Sequence, residues 1–475
     1  MNIIEEIKGR QHGSCIAIQD GALALSFDSL FQKVDEIRSQ LVQHASFSNH
    51  PLPRIGVSFP NGLGYILLAM AVVESGACFV PIPDELTDEE RQTLIEVTAL
   101  HGIISPTQEG GGTLALPFDL GWVRLEACPS YPCIFPEDEF ESLNPAFIRF
   151  SSGTTARSKG VVLSHQSLLE RIIAANQGIQ ITRDDRVLWV LPMAHHFAVS
   201  IILYLYHGAT TVLETSHLPD AMYRAALASK TSVLYGSPFH FAQLAQCQMA
   251  GPLPELRLAV STASALSLDV AKAFKDRFQL PLTQALGIIE VGLPIVNLQY
   301  AGDDPAALGA VLPDYEWKIA PTEDDATPDV GELMLRGPGL FDAYLSPWQT
   351  RSQVTDDGWF ATGDLIEEQK NKTLIMRGRS KSVINVGGMK VFPEEIEAVL
   401  NAHPAIQRCR VFAQPHAVLG FYPAGEYILE EGVENLTLRS IRSYCETRLA
   451  SYKIPMTMKP VDQIALTASG KVKRI

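Results

Sequence analysis

The chain is short of positive charge. It has 38 lysines and arginines against 53 aspartates and glutamates, a formal net charge of −15. An acidic surface repels phosphate backbones, which sets nucleic acid aside as a partner. A site for a small anion must then be locally basic or rich in N–H donors, since near groups set the field over a few ångströms. Cysteine pairs are missing too. None of Cys15, Cys78, Cys128, Cys133, Cys247, Cys409 and Cys445 stands in Cys-x-x-Cys spacing. That excludes zinc or redox motifs of that kind and fits reduced thiols in a cytoplasmic protein. No unbroken apolar run reaches membrane-spanning length. The longest, residues 62–83, is interrupted by Glu74 and Pro81, so it reads as a buried helix and a strand rather than a membrane span. Residues 1–10 carry Glu5, Glu6 and Lys8 without an apolar core, which predicts no signal peptide.

What is present describes a large globular protein. The length of 475 residues predicts two or more domains. Hydrophobic residues at 46% and charged residues at 19% leave enough apolar surface for a core. Short β-branched runs at 54–59, 78–83, 187–191, 210–213 and 232–235 alternate with helical spacing at 65–74, 221–229 and 268–278. This alternation predicts an α/β fold with largely parallel sheets. From about residue 331 the pattern becomes β-rich, with extended runs at 331–336 and 373–377. After the run Gly378-Arg379-Ser380-Lys381 come an apolar run at 383–386 and a helix at 393–400. That helix has a proline at its start and Glu394, Glu395 and Glu397 where the helix dipole favours them. The expected organisation is an N-terminal domain at 1–377, a hinge at 378–382 and a small α+β domain at 383–475.

The richest chemical signal is the stretch Ser151-Ser152-Gly153-Thr154-Thr155-Ala156-Arg157-Ser158-Lys159-Gly160, set between the apolar runs 146–150 and 161–163. Glycine lets the backbone approach a ligand closely, hydroxyl and N–H groups donate hydrogen bonds, and Lys159 supplies charge. That combination suits a polyphosphate. A Walker loop, Gly-x-x-x-x-Gly-Lys-[Ser/Thr], is absent.

This loop resembles the phosphate-binding signature of the adenylate-forming enzymes: acyl- and aryl-CoA synthetases, peptide-synthetase adenylation domains and luciferases. Further signatures follow in family order, so the resemblance covers roughly residues 10 to 475. It implies a large N-terminal domain of parallel-rich sheets and helices with a β-rich subdomain, followed by a small mobile α+β domain. Ser151, Ser152, Gly153, Thr154, Thr155 and Lys159 would hold the phosphates. Residues 261–266, with Ala263, Ser264 and Ala265, resemble the segment that packs on adenine. Gly287-Ile288-Ile289-Glu290 resembles a motif in which the glutamate helps hold Mg²⁺, with Thr155 beside it. Phe360-Ala361-Thr362-Gly363-Asp364 matches the ribose motif, and Arg379 matches an arginine near the nucleotide. Lys381 falls on the hinge, and Gly387-Gly388 on the thiol tunnel. Ser469-Gly470-Lys471 matches the catalytic lysine signature. Taken singly, Asp364 reads as a turn residue and Glu290 as a cap; their joint order carries the functional reading.

Each residue type fits its implied task. A carboxylate is a poor acyl donor until it gains a leaving group. In-line attack on the α-phosphorus of ATP releases pyrophosphate and gathers charge on oxygen, which Lys471, Mg²⁺ and the loop would stabilise. One ionised carboxylate at Asp364 can accept from two ribose hydroxyls. Ala156, Ser158, Leu286 and Ile289 depart from the family pattern. The missing hydroxyl at Ile289 removes a bond of about 1.5–3 kcal/mol, and residues 411–429 form a shortened segment. Residues 192–200 resemble the stretch entering the acid pocket, with His195 as the gate beside the carboxylate. His196 stands where amino-acid-activating relatives place an aspartate, which argues against an α-amino acid. Gly236 and Gly292 would line the same pocket. The implied substrate is a small aryl or fatty acid. The acceptor would be CoA or the phosphopantetheine of an acyl carrier protein. The rival is a degenerate module that binds a nucleotide or acyl-adenylate without turnover.

Overall fold

The structure is a computed structural model. It describes residues 1–475 except 111–112, 151–158, 250, 264, 300, 322–329, 387–388, 417–419, 434, 467–471 and 473–475, and except the side chains of 381, 385, 389, 390 and 420. Among the described residues, two nine-stranded sheets form the bulk of the protein. The strands Arg54–Val57, Cys78–Pro81 and Pro145–Phe150 run parallel in the first. The strands Thr210–Leu213, Arg186–Trp189, Val233–Gly236, Leu258–Ser261 and Thr283–Ile288 run parallel in the second. A four-stranded antiparallel sheet follows, and a five-stranded sheet near the C-terminus. The fold is therefore mixed α/β, with parallel-rich sheets, a β-rich subdomain and a small α+β region.

The main core lies between the two large sheets. Val57, Phe79 and Phe147 from the first sheet and Val187, Trp189 and Val260 from the second meet the helices Leu63–Glu74, His165–Ile179 and Ile201–Tyr206 there. Leu188, Leu234 and Ala259 instead pack against the outer helices Pro219–Ala228, Pro238–Ala245 and Leu268–Phe278. A strand buried on both faces reads as a continuous apolar run, which is the pattern seen in these parallel strands. The helix Leu63–Glu74 is apolar all round and buried at every position, as a helix between two sheets must be. Its Glu74 pairs with Lys8 and lies near Arg38. Among the described residues no helix is long and apolar enough to cross a membrane.

Most predicted elements form within a residue or two of their expected bounds. The outer helix begins at Pro219 rather than 221, because proline is favoured in a first helical turn. The strand expected at 373–377 continues to Arg379, because Gly378 and Arg379 pair with Leu365 and Asp364. The turn Ser380–Ser382 follows. The shortened segment is a long hairpin, Ile406–His416 with Gly420–Leu429.

One close contact fixes the relation between the sheets and the segment 339–345. Gly339 has φ 67°, and a Cβ there would meet the backbone nitrogen of Arg171 at 2.5 Å. Positive φ and lack of space both demand glycine. Gly339→Ala is expected to destabilise the protein by roughly 3 kcal/mol, the sum of backbone strain and overpacking. Thermal unfolding would show this as a fall of roughly 5 °C or more. Gly432→Ala, at φ 85° with nothing within 4 Å of the added carbon, should show the smaller strain cost alone.

Candidate active site

The two strands that flank the phosphate-type stretch are neighbours in the first sheet. Pro145–Phe150 and Gly160–Ser164 pair antiparallel, with Phe150 opposite Gly160. Residues 151–158 lie outside the described residues, so the expected phosphate contacts of Ser151, Ser152, Gly153, Thr154 and Thr155 have no structural account, nor do the roles expected of Ser264, Gly387, Gly388 and Lys471. Lys159 is described and exposed. Its Nζ stands 4.1 Å from the centre of the Tyr344 ring, a cation–π contact of about 0.5–1 kcal/mol at an exposed site.

Tyr344 links the loop to the acidic side of the site. It lies on the strand Ala343–Tyr344, which pairs with Val161 and Val162 just past the loop. Its hydroxyl donates to Glu290 Oε1 at 2.9 Å. Burial, and then the neighbouring charge of Glu290, push the phenol well above its ordinary range, so it stays protonated and remains a donor. Glu290 sits in the turn between Thr283–Ile288 and Gly292–Val296. Its carbonyl accepts from Phe341 N at 2.7 Å.

Arg171 secures that turn from beneath. The side chain is fully buried. Nη1 donates to Ile289 O at 3.1 Å, and Nη2 donates to Gly339 O at 2.6 Å. Burial pushes its guanidinium down to about 10, still charged at neutral pH. Arg149, on the strand that leads into the loop, donates to His195 O. Burial, then the like charge of Arg171, lowers its guanidinium to about 10 as well. One buried and one half-buried cation beside Glu290 supply the local positive field that the net charge of −15 withholds elsewhere.

Asp364 is held on another element. It lies on the strand Phe360–Glu368 opposite Arg379, and its side chain is fully buried. Arg379 Nε stands 2.8 Å from Oδ1. Thr362 Oγ1 donates to Leu333 O at 2.8 Å and accepts from Asp364 N at 3.1 Å, which fixes the backbone of the predicted ribose motif. Lys381 sits in the turn just beyond.

The predicted acid-pocket residues stand in two surroundings. His195 and His196 end the short helix Met193–His196. His195 Nε2 lies 2.6 Å from Glu85 Oε1. The His196 ring meets Trp189 edge-on at 6.1 Å, and Trp189 stacks on Tyr235 at 6.4 Å. Gly236 ends the strand beside Tyr235. Gly292 has φ 113°, and a Cβ there would lie 3.2 Å from Arg171 Cβ. Gly287 is exposed near Thr262, and Ala265 is exposed as well. Ala263 carries φ 74°, a left-handed conformation that strains a residue with a Cβ.

Sequence reasoning missed Tyr344, Arg171, Arg149 and Glu85. Arg171 left a signal, since it stands on the helical stripe of Leu168, Ile172 and Ala175, all buried. A lone arginine on an apolar stripe asks for a buried partner. Tyr344 left none in its local spacing.

Among the described residues no group of three or more His, Cys, Asp or Glu side chains gathers to hold a metal. A single carboxylate such as Glu290 nevertheless fits Mg²⁺, which commonly takes one or two protein carboxylates and completes its shell with phosphates and water. Known proteins narrow the choice of chemistry. Residues 6–345 match the AMP-binding enzyme family, and residues 395–471 match the AMP-binding enzyme C-terminal domain.

This chain belongs to the AMP-binding enzymes, the adenylate-forming superfamily.

Relatives agree with that assignment. A mitochondrial malonate–CoA ligase of Bos taurus is 30% identical over 471 residues, covering 89% of this chain and 80% of that protein. The feruloyl-CoA synthase of Amycolatopsis is 24% identical over 478 residues, covering 98% and 96%. A naringenin synthase of Pestalotiopsis fici is 30% identical over 347 residues, or 70% of this chain, but the match spans only 13% of that longer protein. Among solved structures, ATP-bound MatB from Rhodopseudomonas palustris superposes with a TM-score of 0.82 at 22% identity, over 100% of this chain and 97% of that one. The o-succinylbenzoate CoA synthetase of Bacillus subtilis with its acyl-adenylate intermediate gives 0.82 at 20%, with the same coverage. At these identities the two structures speak for the fold.

Two substitutions test the geometry of this AMP-binding enzyme. Tyr344→Phe removes one hydrogen bond to Glu290, about 1–1.5 kcal/mol. Adenylate formation, read as ATP–pyrophosphate exchange, should fall roughly 10-fold, with the thermal midpoint little changed. Ala263→Gly should relieve about 1 kcal/mol of backbone strain and raise the thermal midpoint, measured by differential scanning calorimetry.

Proposed function

We propose that this chain activates a carboxylic acid with ATP and passes the acyl group to a thiol, as an AMP-forming acid–thiol ligase. The observation that carries the reading is the line Lys159–Tyr344–Glu290, which joins the end of the phosphate-type loop to a carboxylate beside the arginines Arg171 and Arg149. The acid's oxygen attacks the α-phosphorus of ATP, the bond to pyrophosphate breaks, and acyl-AMP forms. Thiol sulfur then attacks the acyl carbon, the bond to AMP breaks, and the thiol proton is released. When bound, Mg²⁺ would neutralise phosphate charge. Glu290 would hold the metal, Asp364 and Arg379 the ribose, and Ala263 to Ala265 the adenine. Lys471 would meet the charge that develops during adenylation, and the small domain would turn about Lys381 between steps, presenting Gly387 and Gly388 to the thiol.

The substrate we infer is an aryl acid rather than a fatty or amino acid. Trp189, His196, Tyr204 and Tyr235 pack ring against ring beside Gly236, so an aryl group seated at Gly236 would meet aromatic neighbours. A cationic ammonium would find an imidazole at His196 in place of a carboxylate. The name of the Amycolatopsis relative, a feruloyl-CoA synthase, is in keeping with an aryl acid and with CoA as the acceptor.

ATP–pyrophosphate exchange across a panel of aryl, dicarboxylic, fatty and amino acids tests this reading. Aryl acids should drive exchange best. Exchange driven best by α-amino acids would defeat the reading of His196, and exchange with no acid would favour a binding module. Lys471→Ala should lower adenylation by at least ~100-fold, because it removes a charge used mainly in the transition state. Thioester formation from supplied acyl-AMP should fall far less.

A further inference from the structure

The helix Met193–His196 is fastened at its backbone. Met193 N donates to Asn61 Oδ1 at 2.9 Å, and Arg149 donates to the carbonyl of His195. The His195 imidazole retains its own torsions, and its Nε2 lies 2.6 Å from Glu85 Oε1. Glu85 comes from the segment after the first-sheet strand Cys78–Pro81, while His195 follows the second-sheet strand Arg186–Trp189. The pair thus bridges the two sheets. It does so beside a cavity of about 270 Å³ lined by Glu85 together with Phe59, Asn61, Asp84, Pro192 and Ala194.

A ring nitrogen facing an ionised carboxylate must carry a proton. Glu85 therefore sets Nε2 as the protonated nitrogen, and in the neutral ring this leaves Nδ1 as the acceptor. Carboxylates play this orienting role for histidines at metal and catalytic sites, where losing one typically costs 10–100-fold. We propose that Glu85 is a positioning residue that fixes the rotamer and tautomer of His195 for transfer of the acyl group to the thiol. This rests on the ligase reading above and on His195 standing beside the acyl carbon. The groups assigned to adenylation lie on other elements: Glu290 bonds Tyr344, and Asp364 pairs with Arg379. The contact with Glu85 therefore bears on the second step more than the first.

Half-reaction kinetics test the role. Glu85 is 45% exposed at its side chain, so Glu85→Leu should fold. In single-turnover assays with supplied acyl-AMP and CoA, Glu85→Leu should slow thioester formation at least ~10-fold, while ATP–pyrophosphate exchange stays within about 3-fold of the parent. Glu85→Gln, which keeps an acceptor for Nε2–H, should recover most of the loss. In a His195→Phe background Glu85→Leu should add nothing, since a residue acting through another is silent without it. Unchanged transfer in Glu85→Leu, an equal fall of both half-reactions, or a full additional loss in His195→Phe would overturn the proposal. Should the parent enzyme make neither acyl-AMP nor thioester with any acid, the ligase reading itself fails. The ring ¹⁵N shifts of His195 then decide the positioning role separately: an Nε2-protonated signature lost in Glu85→Leu supports it, and identical spectra refute it.

Discussion

Arg171 stands on the buried face of the helix His165–Ile179 and gives its N–H groups to the carbonyls of Gly339, Ile289 and Glu290. A guanidinium enclosed in a core is tolerable only when its donors are satisfied, and here backbone carbonyls do that work. The consequence is geometric. The Glu290 turn and the segment 339–345 are pinned to one helix, and that helix directly follows the strand Gly160–Ser164 that closes the phosphate-type loop. Asp342 strengthens the same junction by accepting from Ser164 N and Ser167 Oγ and pairing with Arg351. The Glu290 turn and the strands Ala343–Tyr344 and Gly160–Ser164 are held in register before any ligand arrives, which is the preorganisation that phosphoryl chemistry asks of a protein.

Electrostatics follow from the same arrangement. The chain is acidic overall, yet Arg149 and Arg171 stand near Glu290, Lys159 lies over its partner Tyr344, and Arg379 pairs with Asp364. A local excess of cations in a partly dry site acts far more strongly than distant surface charge. Each carboxylate is also oriented by a donor, Glu290 by Tyr344 and Asp364 by Arg379. Ordered carboxylates of this kind are what a nucleotide ribose and a hydrated divalent ion recognise.

The α/β class was legible because parallel strands buried on both faces write themselves as continuous apolar runs, as at Cys78–Pro81. The loop, Glu290 and Asp364 stand out in the sequence because their residue types and order repeat a known signature. Tyr344 does not, since its role depends on a two-residue strand pairing with Val161 across a long stretch of chain. Glu85 was hidden for the same reason: its partner His195 is distant in sequence and comes from the other sheet. At Gly292 the structure adds what the sequence does not show, a positive φ close against Arg171. Sequence order reports motifs well; contacts between sheets are set by topology.

Isotope transfer decides whether this site makes an acyl-adenylate. Turnover with an aryl acid labelled with ¹⁸O in its carboxylate, in the presence of ATP, Mg²⁺ and CoA, should leave one ¹⁸O in the phosphate of the AMP product, because the carboxylate oxygen itself attacks phosphorus. Turnover that yields ADP, or AMP free of label, would contradict the account.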